Sequence, residues 1–261
     1  MEKDEIIKKI MQKKEFSQLP RKDVELAFEK FDKQKNAEYQ KVKLTRNLLR
    51  ETFSSFSSRK LFGMKKDKNQ EWHLMKHKST KERIPYYGEV YKRIFHGMKK
   101  CSIIDLGAGV NGFSYGFFQK AGLNKPRYIA VEAIGQLAES MNEFFEKNKI
   151  DGKAFHLSLF EIDDLKKVIN EQPAPRVALL LKVIDSLEAI KRDYSKDLIK
   201  DIAPLCDKIV LSFATKSLGK RKKFAVNRNW IVKFIGENFS ILDDFECGGE
   251  RYILFSARKS L

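Results

Sequence analysis

The sequence predicts an α/β protein: a mostly parallel sheet covered by helices on both faces, with a smaller all-helical segment ahead of it. Three observations carry this reading. From residue 101 onward, short apolar runs alternate with helix-period patterns, as in β-α-β units whose strands are buried on both sides. The first of those runs leads straight into a glycine-rich turn, Gly107–Gly112. The residues before it hold helical apolar stripes set in a strongly basic background.

In chain order, Ile6, Ile7, Ile10 and Met11 share one helical stripe, and Pro20 ends that helix because proline cannot continue the backbone ladder. Val24, Leu26, Ala27, Phe28 and Phe31 make a second stripe. Val42, Leu44, Leu48 and Leu49 make a third, with Lys41, Lys43, Arg46 and Arg50 around it. These predict a small bundle with a cationic outer face. Ser54–Arg59 and Gly63–Asn69 have turn composition and would link it to the rest, so the expected division is 1–70 as a basic helical domain and 71–261 as the α/β domain. Helical character resumes at Glu71. Ser79 or Thr80 would cap a further helix with Glu82 in its first turn and Pro85 at an early position, and Val90, Ile94 and Phe95 would bury one face of it.

Five parallel strands are expected at Ser102–Leu106, Tyr128–Val131, Lys153–Leu157, Val177–Leu181 and Lys208–Ser212. Helices are expected after Gly112 to about Ala121, and at Gln136–Lys147, Glu161–Asn170, Tyr194–Ile202 and Asn229–Asn238. Ser240–Phe245 and Tyr252–Ala257 would close the sheet as an antiparallel pair around Cys247–Glu250. A dehydrogenase would more often continue with a second β-α-β half.

The chemistry concentrates at the strand ends. Gly107, Gly109 and Gly112 fit G-x-G-x-x-G, which lets backbone approach a ligand closely and aims a helix N-terminus at it. The pattern alone fits a dinucleotide site equally well. Asp105, two residues ahead of the first glycine, separates the two possibilities: it would repel a pyrophosphate but attract the ammonium and sulfonium of S-adenosylmethionine. Glu132 follows the last glycine by 20 residues and suits ribose hydroxyls in either fold. Ser158, Leu159 and Phe160 would flank an adenine. Together with the closing strand pair, this predicts a Rossmann-like, class I S-adenosylmethionine-dependent methyltransferase sheet.

Lys182 and Asp185 stand at the end of the fourth strand as the candidate catalytic residues, Lys182 also beside the cofactor. Amino-directed nucleic-acid methyltransferases often carry Asn/Asp-Pro-Pro-aromatic there, and this chain has Lys182-Val183-Ile184-Asp185, with no cysteine for covalent attack. An acceptor that needs neither base nor nucleophile fits best. Guanine N7, whose lone pair is already available, is one, and the rate would come from positioning. For adenine N1 or a ribose hydroxyl, Asp185 would be the group to accept a proton. Arg83 is either a bidentate partner for the cofactor carboxylate or a surface arginine on a capped helix.

Net charge is +17, and residues 1–100 carry 27 Lys/Arg against 14 Asp/Glu. Phosphate-rich nucleic acid is the natural partner for such a segment, a solvated basic surface the plain alternative. Lys41, Lys43, Arg46 and Arg50, with Lys216, Lys220 and Arg221 in the basic loop after the fifth strand, are the expected RNA contacts. No run of about 18 apolar residues exists, so no membrane is expected. The charged N-terminus lacks a signal peptide, and Cys101, Cys206 and Cys247 make neither a disulfide framework nor a metal spacing. The expectation is a reduced, cytoplasmic, monomeric protein without a metal.

Four stretches together resemble the aminoglycoside-resistance 16S rRNA methyltransferases, the Arm family: His77–Arg83, Ile103–Asn111, Leu180–Ile184 and Ser212–Lys220. They resemble that family's His-x-Ser-Thr-x-Glu-Arg stretch, its Asp-x-Gly-x-Gly turn, its Leu-Leu-Lys strand end and its Ser-Phe-x-x-Lys-Ser-Leu loop, in order, from about residue 70 to the C-terminus. The resemblance implies methylation of a guanine N7 of 16S rRNA within the 30S subunit. It also implies cofactor or active-site roles for Arg83, Asp105, Gly107, Glu132 and Lys182, and a ribosome-docking role for the N-terminal bundle. The chain departs from the family in having Val110-Asn111-Gly112 after the second motif glycine, Asp185 beyond Val183-Ile184, and Glu132 where the family often has Asp. A methyltransferase with another RNA target and a non-catalytic ribosome-assembly factor are the rival expectations.

Overall fold

A computed structural model describes residues 2–54, 70–215 and 228–258. The N-terminal segment forms α1 (Lys3–Met11), α2 (Arg21–Asp32) and α3 (Glu38–Leu49), which runs into a wide π turn at Arg50–Ser54. α4 (Gln70–Lys76), α5 (Lys78–Arg83), a 3-10 turn (Ile84–Tyr86) and α6 (Tyr87–Ile94) lead into the sheet. The α/β part then runs β1 (Ser102–Leu106), a 3-10 turn (Asn111–Ser114), α7 (Tyr115–Lys120), β2 (Arg127–Glu132), α8 (Gly135–Lys147), β3 (Gly152–His156) and α9 (Ile162–Asn170). It continues with β4 (Arg176–Leu181), α10 (Ile184–Ile190), α11 (Tyr194–Ile202), β5 (Lys208–Ala214), α12 (Asn229–Asn238), β6 (Phe239–Cys247) and β7 (Glu250–Ala257).

The seven strands form one sheet in the order β3-β2-β1-β4-β5-β7-β6. The first five are parallel, β7 runs antiparallel to β5, and β6 to β7, as expected for a Rossmann-like methyltransferase sheet. Strand order reverses at β1, which lies between β2 and β4, so a crevice opens at the carboxyl ends of these strands. Register then sets the functional positions. Leu106 pairs with Val131, which puts Glu132 at the same edge as the glycine turn. Leu181 pairs with Ser212, which puts Lys182 beside Ser212.

Alternation along the strands splits the core in two. Ile103, Tyr128, Ala130, Val177 and Leu179 face one apolar layer, and Ile104, Ile129, Val131, Ala178 and Leu180 face the other. Ile7, Ile10, Val24 and Phe28 of α1 and α2 are fully buried and belong to the first layer, together with Tyr87 and Tyr91 of α6. Of the expected stripes, Ile6, Ile7, Ile10, Val24, Ala27, Phe28, Val42 and Leu49 are core positions, as are Val90, Ile94 and Phe95, while Met11, Leu26, Phe31, Leu44 and Leu48 are half-buried.

Two local expectations are corrected. The cap of α5 is His77, in extended backbone, and neither Ser79 nor Thr80 occupies that position. The Thr80 hydroxyl instead donates to the carbonyls of Leu74 (2.6 Å) and His77 (3.0 Å), stitching α5 to α4. And Ile184-Asp185, read from the sequence as lying just past the end of the fourth strand, begins a helix the sequence did not predict, α10, whose Ile184, Leu187 and Ile190 are buried at helical spacing.

Candidate active site

An open cavity lies over the carboxyl ends of β1, β2 and β4. Its floor is the glycine turn with Asp105, Glu132 and Leu181–Val183. Its roof comes from the helical segments: Asp23 of α2, Thr52 and Phe53 of the π turn, and His77, Ser79, Thr80 and Arg83 of the α4–α5 corner.

Two glycines shape the floor. Gly107 has φ +72° and a Cβ there would stand 2.6 Å from a methyl of Val183. Gly109 has φ +57° and a Cβ there would stand 2.9 Å from Nε2 of His77. Both positions combine left-handed backbone with close approach, so no larger residue keeps this surface. His77 is half-buried, and desolvation, then Arg83 and Lys182, pull its pKa down to about 4, so the imidazole is neutral near pH 7.

Asp105 is buried and its Oδ2 accepts from Asn111 Nδ2 (2.7 Å) and Tyr128 OH (2.5 Å). Asn111 Oδ1 in turn accepts from Tyr87 OH (2.7 Å) and Tyr91 OH (3.3 Å). This ring of neutral donors fixes the carboxyl, while burial raises its pKa. Glu132 accepts from the backbone N–H of Gly109 (2.7 Å) and of Ile134 (2.9 Å), tying β2 to the glycine turn. Burial raises its pKa to about 7 against the pull of those N–H groups.

Arg83 is 3% exposed and donates to Glu250 from Nε (3.3 Å) and Nη2 (2.9 Å). Glu250 also receives the hydroxyl of Ser212 and lies 3.2 Å from Lys182 Nζ. Burial opposes its charge, but Arg83 and Lys182 hold its pKa below the ordinary value. Lys182 Nζ reaches Glu82 as well, at 3.0 Å. The backbone of Lys182 has φ +59°, a region that costs a non-glycine residue of order 1–3 kcal/mol. It is held there by N–H bonds to the carbonyl (3.1 Å) and hydroxyl (3.2 Å) of Ser212. Strain of this kind, beside several shifted carboxyls, marks a functional cavity.

Of the residues singled out from sequence, Arg83, Asp105, Gly107, Gly109, Glu132, Leu159, Phe160 and Lys182 converge on this cavity. Asp185 does not line it. It sits in the first turn of α10 in a two-point ion pair with Arg228 (3.1 and 2.5 Å), so the structure does not bring it into the cavity with Lys182. Ser158 is buried beside the cavity and not in its lining, its hydroxyl accepting from the Phe160 N–H (3.0 Å) and its side chain hydrogen-bonded to Asp23. In the bundle, Lys41 and Arg46 donate to the carbonyls of Asp32 and Lys9, and Arg50 pairs with Glu15, whereas Lys43 is exposed. Lys216, Lys220 and Arg221 lie outside the described residues. Sequence reasoning missed Asp23, Asn111 and Glu250. Glu250 is 167 residues from Arg83, and no local pattern announces such a pair.

The donor set suits a ligand with a positive centre and vicinal hydroxyls. Arg83 and Lys182 share Glu250, whereas Asp105 and Glu132 take their hydrogen bonds from neutral groups.

The family model described as ribosomal RNA methyltransferase (FmrO) matches residues 68–230. A 16S rRNA (guanine(1405)-N(7))-methyltransferase of Micromonospora rosea is 31% identical over 149 residues, 56% of this chain and 50% of that protein. One of Frankia casuarinae is 29% identical over 152 residues, covering 56% and 49%. The chain thus spans about half the length of the curated relatives it matches. Among solved structures, the 16S rRNA methyltransferase RmtF, in complex with S-adenosyl-L-homocysteine, superposes with a TM-score of 0.76 over 98% of both chains at 19% identity. The 16S rRNA methylase ArmA gives 0.57 at 25% identity over 73% of this chain and 92% of that one.

Proposed function

This chain belongs to the ribosomal RNA methyltransferase (FmrO) family, and on that footing we propose that it transfers a methyl group from S-adenosylmethionine to 16S rRNA, with a guanine N7 in the 30S subunit as acceptor. The observation that carries the reading is the charge layout of the cavity: buried carboxyls at Asp105 and Glu132 over a turn that tolerates only glycine, with Arg83 and Lys182 at the side nearest β4.

The cofactor, when bound, supplies a methyl group on a cationic sulfur. The residues of the chain do the rest. Asp105, fixed by Asn111 and Tyr128, offers negative charge to the positive end of the ligand. Glu132 has lone pairs left for ribose hydroxyls beyond its two backbone bonds. Arg83 faces the ligand carboxylate. Lys182, held by Glu82 and Glu250 in its strained backbone, is the donor for a guanine O6, a pairing lysine makes readily, which leaves N7 turned to the methyl. N7 has no proton to lose, so the reaction asks for positioning and not for a base.

The basic N-terminal segment is the docking face. Lys13, Lys14, Lys22 and Lys43 are exposed and suited to phosphate contacts, which makes binding steeply salt-dependent. A ribosomal substrate implies a cytoplasmic site of action. Among the described residues, no helix is long and apolar enough to cross a membrane.

The test is incubation with methyl-labelled cofactor and, separately, 30S subunits, free 16S rRNA and total tRNA, followed by mapping of the modified base. Label in 30S at a guanine whose chain cleaves under N7-specific chemistry is the expected result. Label confined to tRNA, or at another atom, would overturn the acceptor assignment.

A further inference from the structure

Asp23 is 2% exposed, lines the cavity from above, and its Oδ2 has no hydrogen-bond partner among the described residues. A buried carboxylate oxygen left without a donor is costly. Helix capping does not satisfy it: the N-cap of α2 is Pro20, which has no N–H to give, and the residue's own N–H and the Ser158 side chain leave Oδ2 without a donor. Among the described residues no cation pairs with it either: the charged groups that act on Asp23 are the carboxylates of Glu161 and Glu132. Among the described residues nothing supplies a donor to this oxygen, which lines the cavity.

Its position says which donor. Strand order places the β3 loop, with Leu159 and Phe160, at the opposite end of the cavity from Lys182 on β4, with β1 between them. Asp23 is at the β3 end, beside Ser158 and Glu161. A nucleoside whose ribose sits at Glu132 and whose positive centre sits at Asp105 on β1 has its base at this end, against Leu159 and Phe160. The edge of an adenine presents an amino donor next to a ring-nitrogen acceptor. We propose that Asp23, on the N-terminal helical segment, reads the adenine edge of the cofactor, its Oδ2 accepting from the 6-amino group. The inference rests on the reading that the cavity takes S-adenosylmethionine. Burial, aided by Glu161 and Glu132, raises the carboxyl to about 7, so near neutrality its protonated form can also donate to the ring nitrogen.

The test uses the full chain and two ligands, S-adenosylhomocysteine and its analogue with purine in place of adenine, which lacks only the amino group. Calorimetry gives both affinities for the wild type, Asp23→Asn and Asp23→Leu, and thermal melting without ligand verifies folding. The wild type should bind the purine analogue roughly 10- to 100-fold more weakly, the value of a hydrogen bond to a charged or strongly polar group. Asp23→Leu should lose that discrimination, binding both ligands within about threefold of one another, while Asp23→Asn, whose amide offers an acceptor and a donor, should keep most of it. Asp23→Ser replaces the leucine variant if that fails to melt cooperatively. Equal discrimination in wild type and Asp23→Leu would overturn the assignment while leaving the cofactor reading intact. A wild type that binds neither ligand would overturn both.

Discussion

At the scale of single residues, the cavity is a set of carboxyls held in place by neutral donors. Asp105 shows the logic: one oxygen is fixed by Asn111 and Tyr128, and burial keeps water away from it. Asp105→Ala removes the charge and leaves two donors facing each other, so affinity for S-adenosylhomocysteine should fall by about 100-fold or more by calorimetry; unchanged affinity would remove Asp105 from the site. The same burial makes stability depend on pH. Glu132 and Asp23 are both raised to about 7 in the folded chain, from ordinary values near 4. A raised acid holds its proton longer when folded. Its stabilisation is therefore complete below the unfolded value and is lost as pH rises through the folded one. Each group can contribute up to about 1.4 kcal/mol per pH unit in that window. The melting temperature of the ligand-free protein should fall between pH 5 and 7.5, and the Asp23→Asn, Glu132→Gln double variant should flatten the slope. An unchanged slope would mean both groups titrate normally. Asp105 and Glu132 were legible in the sequence because each is tied to a strand end and a glycine turn. Asp23 was not, because nothing in an acidic residue of a first helical turn distinguishes a buried carboxyl from a solvated one.

At the scale of elements, the alternation of apolar runs and helical patterns located all seven strands: β1, β2, β4 and β5 are near-continuously apolar because both their faces are covered, while the edge strands β3 and β6 are partly exposed and were placed by their position between helices and turns. What escaped was α10, a helix of seven residues that starts three positions after β4 with no glycine or proline between them. Without that helix, Asp185 looks like a strand-end carboxylate beside Lys182. With it, the side chain is held in an ion pair with Arg228. The two residues should therefore behave differently. Asp185→Asn should leave the rate of methyl transfer to 30S subunits within about twofold, while Lys182→Met should lower it by roughly tenfold or more without abolishing cofactor binding. A large loss in Asp185→Asn with normal stability would restore it to the chemistry. The closing hairpin has a role that its sequence does not advertise: it brings Glu250 beneath both Arg83 and Lys182, so two cations of the cavity share one buried anion.

At the scale of the whole molecule, the N-terminal helices stand in a different relation to the sheet from that of a docking module on a linker. Ile7, Ile10 and Phe28 are fully buried in the same apolar layer as Tyr87, Ile103 and Leu179. Lys30 donates to the carbonyl of Ala189 at the end of α10, and Ser186 of α10 donates to the carbonyl of Thr52. The segment also supplies Asp23, Thr52 and Phe53 to the roof of the cavity. Exposing even three side chains of this size costs about 1.5–3 kcal/mol each, against a total stability of about 5–15 kcal/mol for a domain. A chain lacking residues 1–54 should therefore melt lower by many degrees, bind hydrophobic dyes, and lose at least about tenfold in affinity for S-adenosylhomocysteine. Separable behaviour gives the opposite result: a truncated chain that melts cooperatively at the wild-type temperature, binds the ligand as tightly, and fails only on 30S subunits. Melting and calorimetry on one truncated protein decide between these, because RNA docking alone touches neither measurement, whereas a shared core and a shared cavity must move both.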